Sequence, residues 1–161
     1  MTGNTAFAVP KDRQGVTVRL GNGTAIEGVI FLEAVSDFLS SHQKVTMFLE
    51  NDNTFFPIKL DTTGKTEFIN KKNVWIVEVG IPEDPETGYF SQLPMHIISV
   101  TAHFCDGTAV SGELMAEVPQ EKTRLSDCLN ISNKFLSVKT DGKMCYINKD
   151  ALRTVVHADM G

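Results

Sequence analysis

Cys105-Asp106-Gly107-Thr108-Ala109-Val110-Ser111-Gly112 decides the fold, because Gly21-Asn22-Gly23-Thr24-Ala25-Ile26-Glu27-Gly28 repeats its pattern earlier in the chain. Each stretch sets a glycine after an Asn or Asp, continues Thr-Ala with a β-branched residue, and ends on a second glycine. Asn-Gly or Asp-Gly between alternating runs predicts a hairpin with a type I′ turn, whose central residues take positive φ. The second glycine predicts a bulge or bend in the returning strand. Turn glycines and bend glycines are both 84 residues apart, so spacing and residue type repeat together.

Outward from the first turn, Val16, Val18 and Leu20 alternate with Thr17 and Arg19, the period of a half-buried strand. Ala25–Leu32 follows as the second strand. Glu33–Gln43 reads as a loop, with a short helical turn at 35–39 the alternative, before Lys44–Leu49 resumes strand character. Thr54–Leu60 is a strand whose Pro57 belongs at an edge or bulge. Thr66–Lys71 and the β-prone Val74–Val79 close the unit. Around the second turn, Ile97–Phe104 and Ala109–Met115 repeat the opening hairpin. Asn133–Lys139 answers Asn53–Lys59 at an offset of 80, and Tyr146–Lys149 answers Phe68–Lys71 at 78. An offset that changes only at loops is the mark of an internal duplication. The expected organisation is an N-terminal arm (1–14), a first unit (15–80), a Pro- and Gly-rich linker (81–95) and a second unit (96–161). Phe7 and Val9 of the arm are candidates to dock on a neighbour.

The chain has the balance of a globular protein, with 42% hydrophobic and 22% charged residues. No apolar run approaches the roughly 18 residues that a spanning helix needs, and Met1–Gln14 lacks a basic segment followed by an apolar one. No membrane association and a cytoplasmic, unprocessed chain are therefore expected. Cys105, Cys128 and Cys145 show neither CxxC nor metal-ligand spacing, and read as buried or half-buried free thiols. The net charge of −5 disfavours a protein that holds phosphates by bulk electrostatics.

Each unit reads as a five-strand meander able to close on itself. The second unit is similar to the Sm-like fold, and resembles in particular the bacterial Sm-like RNA chaperone family. Val100–Leu114 carries the likeness to the first Sm motif, and Tyr146 with Ala151–Val156 that to the second. The first unit matches in Val16–Ile30 and more loosely in Phe68–Val79. The resemblance implies an all-β protein of two tandem small five-stranded Sm-like barrels. It also implies self-association through edge strands, with the two units pairing inside the chain or between chains. In that family a Tyr-Lys-His trio before the closing strand grips uridine-rich RNA. Here those positions read Asn148-Lys149-Asp150 and Asn70-Lys71-Lys72, so only the lysine persists, and Asp150 repels phosphate.

Asn70, Lys71, Asn148 and Lys149 are the binding candidates, with Asn suited to a base edge or a loop and Lys to a phosphate or an acidic partner. Arg124, in the polar run Arg124–Asn130, joins them, although Asp127 and Asn130 also suit a strand end. Phe55, Phe56, Phe135 and Trp75 fall on strand-period positions and are expected in the core. His42, His96, His103 and His157 show no ligand spacing, and Ser36-Asp37 and Ser126-Asp127 lack a nucleophile elbow. No metal, cofactor or catalytic residue is expected. The sequence thus predicts a non-enzymatic binding or assembly module, with an RNA-binding ring protein and a small ligand-binding or hydrolytic barrel as alternatives.

Overall fold

In the computed structural model, which describes residues 11–33, 40–81 and 95–158, the alternation at Val16, Val18 and Leu20 lies in β1, Lys11–Leu20. The strand starts earlier than expected. Lys11–Gln14 have little apolar pattern, yet their backbone pairs with Ile30–Glu33, so ladder bonds rather than side chains extend it. The rest of the expected arm and nearly all of the linker lie outside the described residues, as do Phe7, Val9 and Ser36-Asp37.

β2 (Ala25–Glu33), α1 (Ser41–Glu50), β3 (Phe55–Leu60), β4 (Thr66–Asn70) and β5 (Val74–Gly80) complete the first half. The second half has β6 (Met95–Phe104), β7 (Ala109–Glu117), α2 (Leu125–Leu129), β8 (Phe135–Thr140), β9 (Lys143–Asn148) and β10 (Leu152–His157). The described chain is predominantly β. Its strands form one antiparallel sheet in the order β10-β6-β7-β8-β9-β5-β1-β2-β3-β4. Each half therefore has the same internal plan, its fifth strand beside its first and its fourth at the far side.

The hairpin turns differ from the expected type I′. Gly23 and Gly107 have φ of 89° and 92°, while Asn22 and Asp106 stay at negative φ. Leu20 N donates to Thr24 O and Phe104 N to Thr108 O, so each loop has three residues and ends on a left-handed glycine. The Asn22 and Asp106 carboxamide and carboxylate accept the Thr24 and Thr108 amides at 2.9 Å, which holds those residues out of the left-handed region. A turn with two positive φ values occurs instead at Asp141-Gly142. There the β8–β9 connection is two residues shorter than Asp61–Gly64 in the first half, and the offset drops from 80 to 78.

Gly28 and Gly112 mark close approaches rather than bulges. A Cβ on Gly28 would lie 2.4 Å from Lys59 O, and one on Gly112 2.5 Å from Lys139 O. Each glycine lets its strand approach the next one closely, and the two strands pair over only two positions. Pro57 lies beyond the β2–β3 pairs, where its missing N–H leaves no ladder bond broken.

Lys44–Leu49, expected to be a strand, is the body of α1. Val45 and Leu49 are buried while Met47 between them is exposed, so the burial repeats every four residues and not every two. Ser40 caps the helix: its Oγ accepts the Gln43 amide while the Gln43 side chain accepts the Ser40 amide. The run Arg124–Asn130, expected near a strand end, instead holds α2 between its caps Arg124 and Asn130, and Asn130 Nδ2 donates to Ser126 O at 2.7 Å. Phe56 and Phe135 are buried as expected, but Phe55 is 51% exposed because its strand lies next to the sheet edge. Cys128 and Cys145 are buried; Cys105, in the second hairpin loop, is exposed rather than buried or half-buried. No helix among the described residues is long and apolar enough to cross a membrane.

Candidate functional site

The two halves meet where β5 pairs with β9, Ile76 opposite Ile147 and Val77 opposite Tyr146. Their cores interlock across this joint. Phe135, Met144 and Tyr146 of the second half pack into the first cluster, and Ile76 of the first half into the second. Polar groups pin the same line. Glu78 accepts from Arg19 Nε at 2.6 Å and Lys143 Nζ at 3.3 Å. Burial pushes the Glu78 carboxyl up, and hydrogen bonds from the two cations outweigh it, so its pKa falls below the usual value. The Glu50 carboxylate, at the end of α1, accepts the backbone amides of Lys134 and Phe135 at the start of β8.

The Asn-Lys pairs sit where β4 and β9 end: each asparagine is the last strand residue and each lysine the first of a short 3-10 turn, Lys71–Asn73 or Lys149–Ala151, that feeds β5 or β10. Asn70 Oδ1 accepts Lys72 N and Asn148 Oδ1 accepts Asp150 N, so each asparagine caps its own turn. Lys71 is buried and its ammonium donates to Asn51 O at 2.9 Å and Asn51 Oδ1 at 2.6 Å. Lys149 Nζ donates to Ile131 O at 2.8 Å. Both lysines therefore tie the turn to the segment after the helix of the same half. Burial lowers both pKa values, with Lys134 adding repulsion at Lys71. The structure brings the two turns together through Asn148, whose Nδ2 donates to Val74 O at 2.9 Å across the joint. Arg124 is tied to Asp127 at 3.5 Å rather than to either turn, and its side chain is exposed.

Among the described residues several clefts straddle the joint, two of them beside stacked ring pairs. One, of about 500 Å³, lies between the Gly21–Gly23 and Asp106–Thr108 loops, over Trp75 stacked on Phe104 with ring centroids 5.2 Å apart. The other, of about 340 Å³, separates α1 from β7 and β8. Inside the second, His42 Nδ1 lies 2.8 Å from the Tyr146 hydroxyl, and the rings stack. Burial lowers the His42 pKa, partly opposed by Glu117. Sequence reasoning missed His42, Glu50 and Glu78, because each acquires its role only from a partner more than 50 residues away. Tyr146 carried a signal in its alignment with Phe68.

No His, Cys, Asp and Glu grouping suited to a metal exists among the described residues. Burial raises the Cys128 pKa and drives that of Cys145 up to about 11, which keeps both thiols protonated at neutral pH. Comparison with family models, with curated proteins and with solved structures returns no match.

Proposed function

We propose that this chain is a non-enzymatic assembly module, built from two Sm-like five-strand barrels and joined to further copies by the same contact that joins its halves. The β5–β9 pairing carries this reading. It matches the fifth strand of one half with the fourth of the other, and leaves β10 and β4 as the remaining fifth and fourth strands. Among the described residues each of these has a single strand neighbour, an arrangement that invites pairing. Carrying the β5–β9 register over at the 78-residue offset sets Val155 of one copy opposite Phe68 of the next. Phe68 is 68% exposed, and Phe55 beside it on β3 is also exposed. The contact is head-to-tail, so it produces a ring if the rotation closes and a filament if it does not.

Light scattering on the purified chain tests this. Masses of two or more times 17.7 kDa are expected, and Phe68→Lys should return a 17.7 kDa monomer that still unfolds in a single cooperative melt. A wild-type chain that stays monomeric at high micromolar concentration removes the reading. RNA binding on such an assembly has weaker support, because the Lys71 and Lys149 ammonium groups already donate to backbone carbonyls. The absorbance ratio of the same sample reads that alternative directly.

A further inference from the structure

The cleft between α1 and the second half has a composition that the assembly reading leaves unused. One wall is α1, with His42 and Thr46; the other is β7, β8 and β9, with Leu114, Leu136 and Tyr146. Its volume of about 340 Å³ falls at the small end of the range for organic-ligand pockets. Among the described residues two buried side-chain polar atoms have no hydrogen-bond partner, Thr46 Oγ1 and Asn133 Oδ1, and both residues line this cleft. Buried polar atoms are ordinarily satisfied, so an amide oxygen that only accepts, beside a hydroxyl that can accept or donate, points to a missing donor. Glu50 and Glu117 also line it, while no lysine or arginine does so among the described residues.

The cleft is not a by-product of repeated architecture. Phe68 stands where the second half has Tyr146, so the hydroxyl that meets His42 has no counterpart. The helix of the second half, Leu125–Leu129, is also half the length of α1. Walls from both halves are needed, which makes the cleft a property of the joint within one chain.

We infer that this cleft binds a small neutral or cationic organic molecule with an aromatic or aliphatic body and an N–H donor. The apolar body lies against Leu114 and Leu136, and the N–H meets the two orphaned oxygens once the Thr46 and Asn133 side chains, which hold them out of reach, turn toward it. The Glu50 and Glu117 carboxylates that line it select against anions. The site stands whether or not chains assemble.

Titration of the full-length chain with tryptamine, indole and indole-3-acetate, followed by amide NMR shifts, tests the inference. Tryptamine should shift amides of α1, β7 and β8, and indole-3-acetate should bind at least about tenfold more weakly. Ser137→Trp, placed on the cleft wall at a half-buried position, should abolish those shifts. Thr46→Val should weaken tryptamine about fivefold without lowering the melting temperature, because the deleted hydroxyl has no partner. This second variant reads the site even if Ser137→Trp folds poorly. Absence of cleft shifts with all three molecules, equal affinity for the anion, or unchanged tryptamine binding in Thr46→Val overturns the inference.

Discussion

Phe68 and Tyr146 occupy matching positions on the fourth strand of each half, yet Tyr146 is 2% exposed and Phe68 68%. The difference lies in the neighbours. β9 has β5 along its outer side and His42 of α1 stacked on Tyr146, whereas β4 ends the sheet. One aromatic position therefore acts as core in one half and as exposed apolar surface in the other, and the same holds for Phe135 and Phe55. A side chain's place in the strand period sets which face it takes; only its neighbours set whether that face is covered.

The largest expected effect breaks this pair apart. Tyr146→Ala should cost about 4 kcal/mol in urea unfolding, as for truncation of a buried aromatic. Phe68→Ala should stay within about 0.5 kcal/mol, as for an exposed position in the isolated chain. Similar losses at both positions would mean that β4 is covered in solution at the concentration used. Next come the close-approach glycines, where the halves should agree. Gly28→Ala and Gly112→Ala should each lose about 2–3 kcal/mol from forced backbone shifts, and unequal losses would show that the halves hold their second and third strands at different clearances.

A smaller effect sharpens the joint itself. Glu50→Ala leaves the Lys134 and Phe135 amides without their carboxylate, and should cost about 1–2 kcal/mol in the same assay. The smallest is a pH slope. His42 is held below its ordinary value of 6.5, so the folded state binds fewer protons than the unfolded state just below that pH. Stability is complete above the unfolded value and declines as pH falls from there through the folded one. Urea midpoints at about pH 7.5 and about pH 5 should show this decline, and His42→Gln should flatten it.

Most strands were legible because their side chains alternate over a local window, and the hairpins were legible because Gly23 and Gly107 need positive φ. Their turn type was not, since Asn22 and Asp106 bond the following threonine amide instead of entering the left-handed region. The α1 segment was misread as a strand because Val45, Met47 and Leu49 satisfy period two as well as period four. The Ser40-to-Gln43 capping pattern was the signal that separates them. At the candidate site, the Asn-Lys repeat located both turns before β5 and β10. It did not reveal that the lysines turn inward, because the carbonyls they meet, at Asn51 and Ile131, are 20 and 18 residues away.

By itself, the sequence determined a β-rich chain and a pattern written twice, through alternation and glycine spacing that act within a few residues. Tertiary structure alone decided which copy's fourth strand is buried, how β5 meets β9, and that His42 and Tyr146 face each other across a cleft. Those outcomes depend on contacts between residues as far as 104 positions apart, which local pattern does not encode.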